Sequence, residues 1–158
     1  MNTRHLALLV PPLSLVAATI VHAQPPAAAH VMLAPKEIQF VNAPAGVPAG
    51  AKMAVLAGDP AKNEMFIVQY KFPAGYKIPP HWHPTDEHIT VLSGSVMMGM
   101  GDEFSRARMK TLTPGSHAVM PAKAAHYLLT RTATVIARTA IGPYGITYVN
   151  PRDDPRNR

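Results

Sequence analysis

Hydrophobic and polar positions alternate in short runs along most of the chain, and Gly or Pro interrupts nearly every run. The runs fall at residues 37–41, 52–57, 65–72, 88–92, 95–100, 106–112, 117–120, 125–130, 135–141 and 146–149. A two-residue period is that of a strand with one face buried. No stretch free of Gly and Pro is both long and amphipathic enough for a long helix. About ten short strands, spaced roughly 8 to 12 residues apart, predict an all-β antiparallel sandwich or barrel.

The ends of the chain break this pattern. Arg4 is followed by an apolar run over residues 6–21, and Val21-His22-Ala23 places small residues where a signal peptidase reads. Residues 1–23 are therefore expected to be a signal peptide cleaved after Ala23, making the protein exported, periplasmic or secreted. The run is interrupted by Pro11-Pro12 and is shorter than the roughly 20 residues a membrane span needs, so no membrane partner is expected after cleavage. Residues 24–35, rich in Pro and Ala, read as a flexible lead-in, 36–149 as the folded body and 150–158 as a polar tail. No internal repeat or second domain is evident.

Composition narrows the chemistry. With 158 residues, 47% hydrophobic and 15% charged, the chain can form a packed core. The 15 Lys and Arg outnumber 9 Asp and Glu, but they form no basic run of the kind that tracks a phosphate backbone, so no nucleic-acid partner is expected. Arg106, Arg108 and Lys110 alternate and read as one solvated strand face. The absence of cysteine excludes thiolate metal sites, iron-sulfur clusters and Cys nucleophiles. Metal chemistry would then fall to carboxylates and the eight histidines.

One segment concentrates those residues. In an extended segment His81 and His83 share a side, roughly 7 Å apart along the strand; on a helix they would diverge by about 200°. Pro79, Pro80 and Pro84 flank the pair, disfavour helix and reduce the freedom lost on fixing the rings. After a turn at Pro84-Thr85-Asp86, Glu87 begins a returning run beside the two imidazoles, and His126 offers a further ligand from a distant strand. His88, of opposite parity to Glu87, is expected on the outer face.

The spacing resembles the first signature of the cupin superfamily: Gly, five residues, His-x-His, three residues, Glu, six residues, Gly, met by Gly75, His81, His83, Glu87 and Gly94. The second signature is matched by Gly115, Pro121 and His126, with Lys123 where glycine is usual and Thr130 where asparagine is usual. The resemblance covers residues 36–149 and implies a double-stranded β-helix, a jelly-roll β-barrel. It also implies one divalent transition metal (Fe, Mn, Ni, Cu, Co or Zn) bound by His81, His83, Glu87 and His126.

The function expected from this resemblance is that of a metal-dependent dioxygenase or related oxidoreductase acting on a small organic molecule. Glu87 is a candidate base, and Tyr76, Thr90 and Tyr127 are candidates to orient the substrate. The alternative is a non-catalytic protein that binds or senses a metal or small ligand outside the cytoplasm, since one ligand set serves both. A homodimer is the expected assembly.

Overall fold

In a computed structural model, which describes residues 30–158, the chain forms eleven short strands. The signal peptide expected over residues 1–23, and the lead-in as far as residue 29, lie outside the described residues. The strands are β1 (Val41–Asn42), β2 (Lys52–Ala57), β3 (Met65–Phe72), β4 (Lys77–Trp82), β5 (Glu87–Ser93), β6 (Val96–Met100), β7 (Lys110–Leu112), β8 (His117–Met120), β9 (His126–Thr130), β10 (Thr134–Ile141) and β11 (Thr147–Tyr148). Among the described residues the only helical elements are 3-10 turns of three residues, and none is long and apolar enough to cross a membrane.

All strand pairs are antiparallel and make two sheets, ordered β1-β2-β3-β10-β5-β8 and β11-β4-β9-β6-β7. The jelly-roll pairing pattern is present, but neither sheet closes into the expected barrel. Alternate residues of both sheets supply one core: Phe66, Val68 and Tyr70 from β3, Ile89 and Val91 from β5, Ile136 from β10, Ile78 from β4 and Leu128 from β9. Burial follows strand parity, as along β3, where Phe66, Val68, Tyr70 and Phe72 are buried and the residues between them are not.

Three local stretches differ from the sequence reading. Residues 106–108 form a 3-10 turn ahead of β7, so Arg106, Arg108 and Lys110 do not share a strand face. Residues 37–41 yield only the end of a 3-10 turn and the first residue of β1, because Pro35 and Lys36 start that turn with Glu37 accepting from the Ala34 amide at 2.6 Å. The C-terminal segment expected as a tail carries two 3-10 turns, and Arg156 donates to the Ile146 carbonyl at 3.0 Å.

The two motif departures sit at structural joints. Lys123 adopts a left-handed backbone with φ 62°, the conformation that a glycine holds at least cost, and its amide donates to the His83 carbonyl at 2.8 Å. Thr130 is buried; its hydroxyl accepts from the Tyr76 amide at 2.8 Å and donates to the Pro73 carbonyl at 2.6 Å, tying the β3–β4 turn to β9.

Candidate metal centre

Strand pairing brings the histidines together. His81 on β4 and His126 on β9 are opposed Cα partners, while Glu87 opens β5 in the other sheet. The β4–β9 ladder shifts register between Ile78 and His81, across Pro79 and Pro80, which have no amide hydrogen to give to it. The shift changes the parity of β4, so that Ile78 and His81 both point inward, and His83 follows two residues later.

The ligand atoms of His81, His83 and His126 lie within 4.8 Å of one another, and all three side chains are buried. Each Nδ1 faces a backbone carbonyl: Pro79 at 2.7 Å from His81, Gly145 at 2.7 Å from His83 and Ala124 at 3.0 Å from His126. A carbonyl only accepts, so each Nδ1 donates and each Nε2 is the nitrogen turned away from the backbone. This is the arrangement that orients imidazoles as metal ligands. Burial, reinforced by the neighbouring His126 and His83, holds His81 well below the ordinary histidine range. Burial also lowers His83 to about 4, outweighing the opposing pull of the Glu87 carboxylate. Both rings are therefore neutral near pH 7.

Glu87 is fully buried, with Oε2 at 3.2 Å from His126 Nε2 and 3.7 Å from His83 Nε2. Its Oε1 accepts from the Tyr144 hydroxyl at 3.0 Å and forms an ion pair with Arg138 Nε. Burial pushes the Glu87 carboxyl up, but Arg138, His126 and His83 together hold it well below the usual carboxylate range. It is thus a carboxylate anchored through Oε1.

His83 Nε2, His126 Nε2 and Glu87 Oε2 are buried without a hydrogen-bond partner. Buried polar atoms seldom remain unsatisfied, and three converging on one point form a cradle for a cation. Three imidazole nitrogens and one carboxylate oxygen fit a divalent transition ion of intermediate softness.

The three residues expected to orient substrate lie elsewhere. Thr90 shares the outward parity of His88 and is 3.0 Å from His117 Nδ1 across β5 and β8. Tyr127 follows His126 and so points to the opposite face, packing on Phe104 and donating to the Ser105 carbonyl at 3.2 Å. The Tyr76 ring stacks on Phe72, and its hydroxyl donates to the Pro48 carbonyl.

Arg138, Tyr144 and Tyr70 are the residues that line a cavity together with His83. Arg138 alternates inward with Ile136 and Ala140 on β10, and the β5–β10 pairing sets it diagonal to Glu87. The Tyr144 ring stacks on His83 at 4.5 Å, and the Arg138 guanidinium lies 4.7 Å from the Tyr70 ring centre. A lone arginine inside an apolar strand run was the available sequence signal.

A cupin domain model matches residues 68–139, which include all four candidate ligands. Among solved structures, the polyketide cyclase RemF from Streptomyces resistomycificus aligns with TM-score 0.65 and 19% identity, over 80% of this chain and 90% of that one. An RmlC-like cupin from Shewanella frigidimarina aligns with TM-score 0.57 and 18% identity, over 72% and 91% respectively. The salicylate 1,2-dioxygenase from Pseudaminobacter salicylatoxidans aligns with TM-score 0.53 and 16% identity, over 66% of this chain and 32% of that one. No curated protein matches the sequence. The matched domain over residues 68–139 and the likeness to these structures show that the chain has the cupin fold.

Proposed function

We propose that the protein is a metal-dependent oxidoreductase of the dioxygenase class, acting outside the cytoplasm on a small organic molecule. The observation that carries the reading is the convergence of three buried, carbonyl-oriented imidazoles, two of them, His83 and His126, with Nε2 3.7 and 3.2 Å from the unsatisfied Glu87 Oε2. His81, His83 and His126 would hold the ion through Nε2, with Glu87 Oε2 as a fourth donor. A divalent ion bound there supplies Lewis acidity and, if redox-active, one-electron chemistry with dioxygen.

The protein's own groups prepare the site. The backbone carbonyls fix the tautomer of each ring before any ion arrives. Arg138 and Tyr144 pin Glu87 through Oε1, so the oxygen turned to the imidazoles is Oε2. A cavity lined by His83, Tyr144 and Arg138 would bring a small molecule to the His83 side of the site, and most of its other walls are apolar.

The test is metal analysis of the purified protein, followed by oxygen uptake with phenolic, diketone and thiol-acid substrates. The reading expects about one transition ion per chain, and turnover abolished in His81→Ala and His126→Ala. Tight, reversible metal uptake with no turnover would instead favour the binding or sensing role. Full metal content in both variants would rule out this site.

A further inference from the structure

The cavity beside the imidazoles has a volume of about 180 Å³. Its walls are apolar and partly aromatic, made by Val47, Tyr70, Phe72, Ile78 and Ile146. The Tyr70 and Phe72 rings lie nearly parallel, with an interplanar angle of 8° and centres 5.5 Å apart. In size the cavity is on the order of the ~150 Å³ space that accepts one benzene ring.

Its polar end is less ordinary. Arg138 is only 6% exposed, and its contact with Glu87 runs through Nε. That leaves its two terminal nitrogens outside the Glu87 contact, and the side chain lines the cavity. The guanidinium sits between aromatic faces, 4.7 Å from the Tyr70 centre and 5.1 Å from the Tyr144 centre. A guanidinium fork at the end of an apolar cavity matches a carboxylate in geometry and charge. The charge balance points the same way. Glu87 and Arg138 offset each other, so a divalent ion among neutral imidazoles would leave an excess positive charge that an anionic ligand reduces.

We propose that this cavity binds a small carboxylate carried on a single ring or an apolar body of similar size. The terminal nitrogens of Arg138 donate to the carboxylate, and the Tyr70, Phe72 and Ile146 side chains pack the body. The inference rests on the reading of the site as a metal centre acting on a small organic molecule, and it names the substrate class.

The probe is benzoate, titrated by calorimetry and by amide chemical shifts into the metal-free and the zinc-loaded protein, with zinc affinity measured separately. Benzoate is expected to bind one to one, and benzamide at least about tenfold more weakly, because it cannot pair with the guanidinium charge. The preference is expected in the metal-free protein too, since Arg138 rather than the ion reads the carboxylate. Arg138→Met is expected to erase it. Because that variant leaves Glu87 unpaired and is at risk of misfolding, Ile146→Phe provides an independent arm: it fills the cavity and is expected to cut benzoate affinity at least tenfold with zinc affinity within about twofold. Zinc binding with equal affinity for benzoate and benzamide, or benzoate affinity unchanged in Ile146→Phe, overturns the inference and leaves the metal centre intact. Selective benzoate binding by a protein that takes up no zinc overturns the metal centre instead.

Discussion

Arg138 on β10 and Glu87 on β5 form a buried ion pair that neither the histidine spacing nor the glycine pattern announces. Two opposite charges removed from water are tolerable only together. Glu87→Gln removes one of them and leaves the arginine unpaired, so it is expected to cost about 3–5 kcal/mol in urea unfolding of the metal-free protein. The double variant Glu87→Met with Arg138→Met, of similar volume and uncharged, is expected to recover most of that loss. A double variant as unstable as the single one would show that packing rather than charge dominates the site.

The alkaline limit of stability follows from two tyrosines. Tyr76 and Tyr148 donate to the carbonyls of Pro48 and Gly46, fastening the loop that carries Val47 into the cavity wall. Burial pushes both hydroxyls above the ordinary tyrosine value. The folded state therefore keeps protons that the unfolded state gives up from about pH 10. Their contribution is intact below pH 10 and is lost as pH rises toward the folded-state values. Thermal unfolding measured from pH 8 to 11 is expected to weaken above about pH 10, with a shallower fall in Tyr148→Phe. An identical slope in that variant would remove Tyr148 from the account.

What the sequence disclosed, and what it concealed, both follow from strand geometry. The period of two placed His81 and His83 on one side and His88 outside, with opposite parity to Glu87; the same rule would have put Thr90 outside too, rather than among the substrate-orienting residues. Applied to Tyr127, directly after His126, it would have excluded that residue from the site. Arg138 was harder to read because β10 is flanked on both faces by apolar residues, so parity along residues 135–141 has no sequence marker. Only the pairing of β10 with both β3 and β5 decides which alternate residues meet Glu87. Tyr144 lies in the loop between β10 and β11, where no periodicity applies, and reaches Glu87 through tertiary contact alone.

Lys123 occupies a left-handed position that a side chain makes costly by roughly 1–2 kcal/mol, whereas glycine adopts it freely. Lys123→Gly loses some of that gain to the greater freedom of its unfolded chain. The net expectation is stabilisation by about 0.5–1 kcal/mol in chemical denaturation, with zinc content unchanged. Destabilisation would mean that the lysine side chain makes a compensating interaction larger than the backbone strain.

Metal loading provides the sharpest separation of the buried cluster from the exterior. A ligand that binds only the folded state stabilises it by about 2.7 kcal/mol at a hundredfold excess over its Kd, and for a chain of this size that raises the melting temperature by on the order of 10 °C. Zinc is expected to produce such a rise in the wild-type protein, and chelator to reverse it. His126→Ala removes one of three converging imidazoles, so at the same zinc concentration the rise is expected to collapse. The informative control is the exposed pair His88 and His117, whose ring centres lie 5.7 Å apart on the outer face of β5 and β8. Two exposed imidazoles make a weak, solvated site, so the double variant His88→Ala with His117→Ala is expected to keep the full rise. If the rise survived His126→Ala and vanished in the double variant, zinc would be binding the outer pair, and the buried cluster would need another explanation for its unsatisfied nitrogens and carboxylate oxygen.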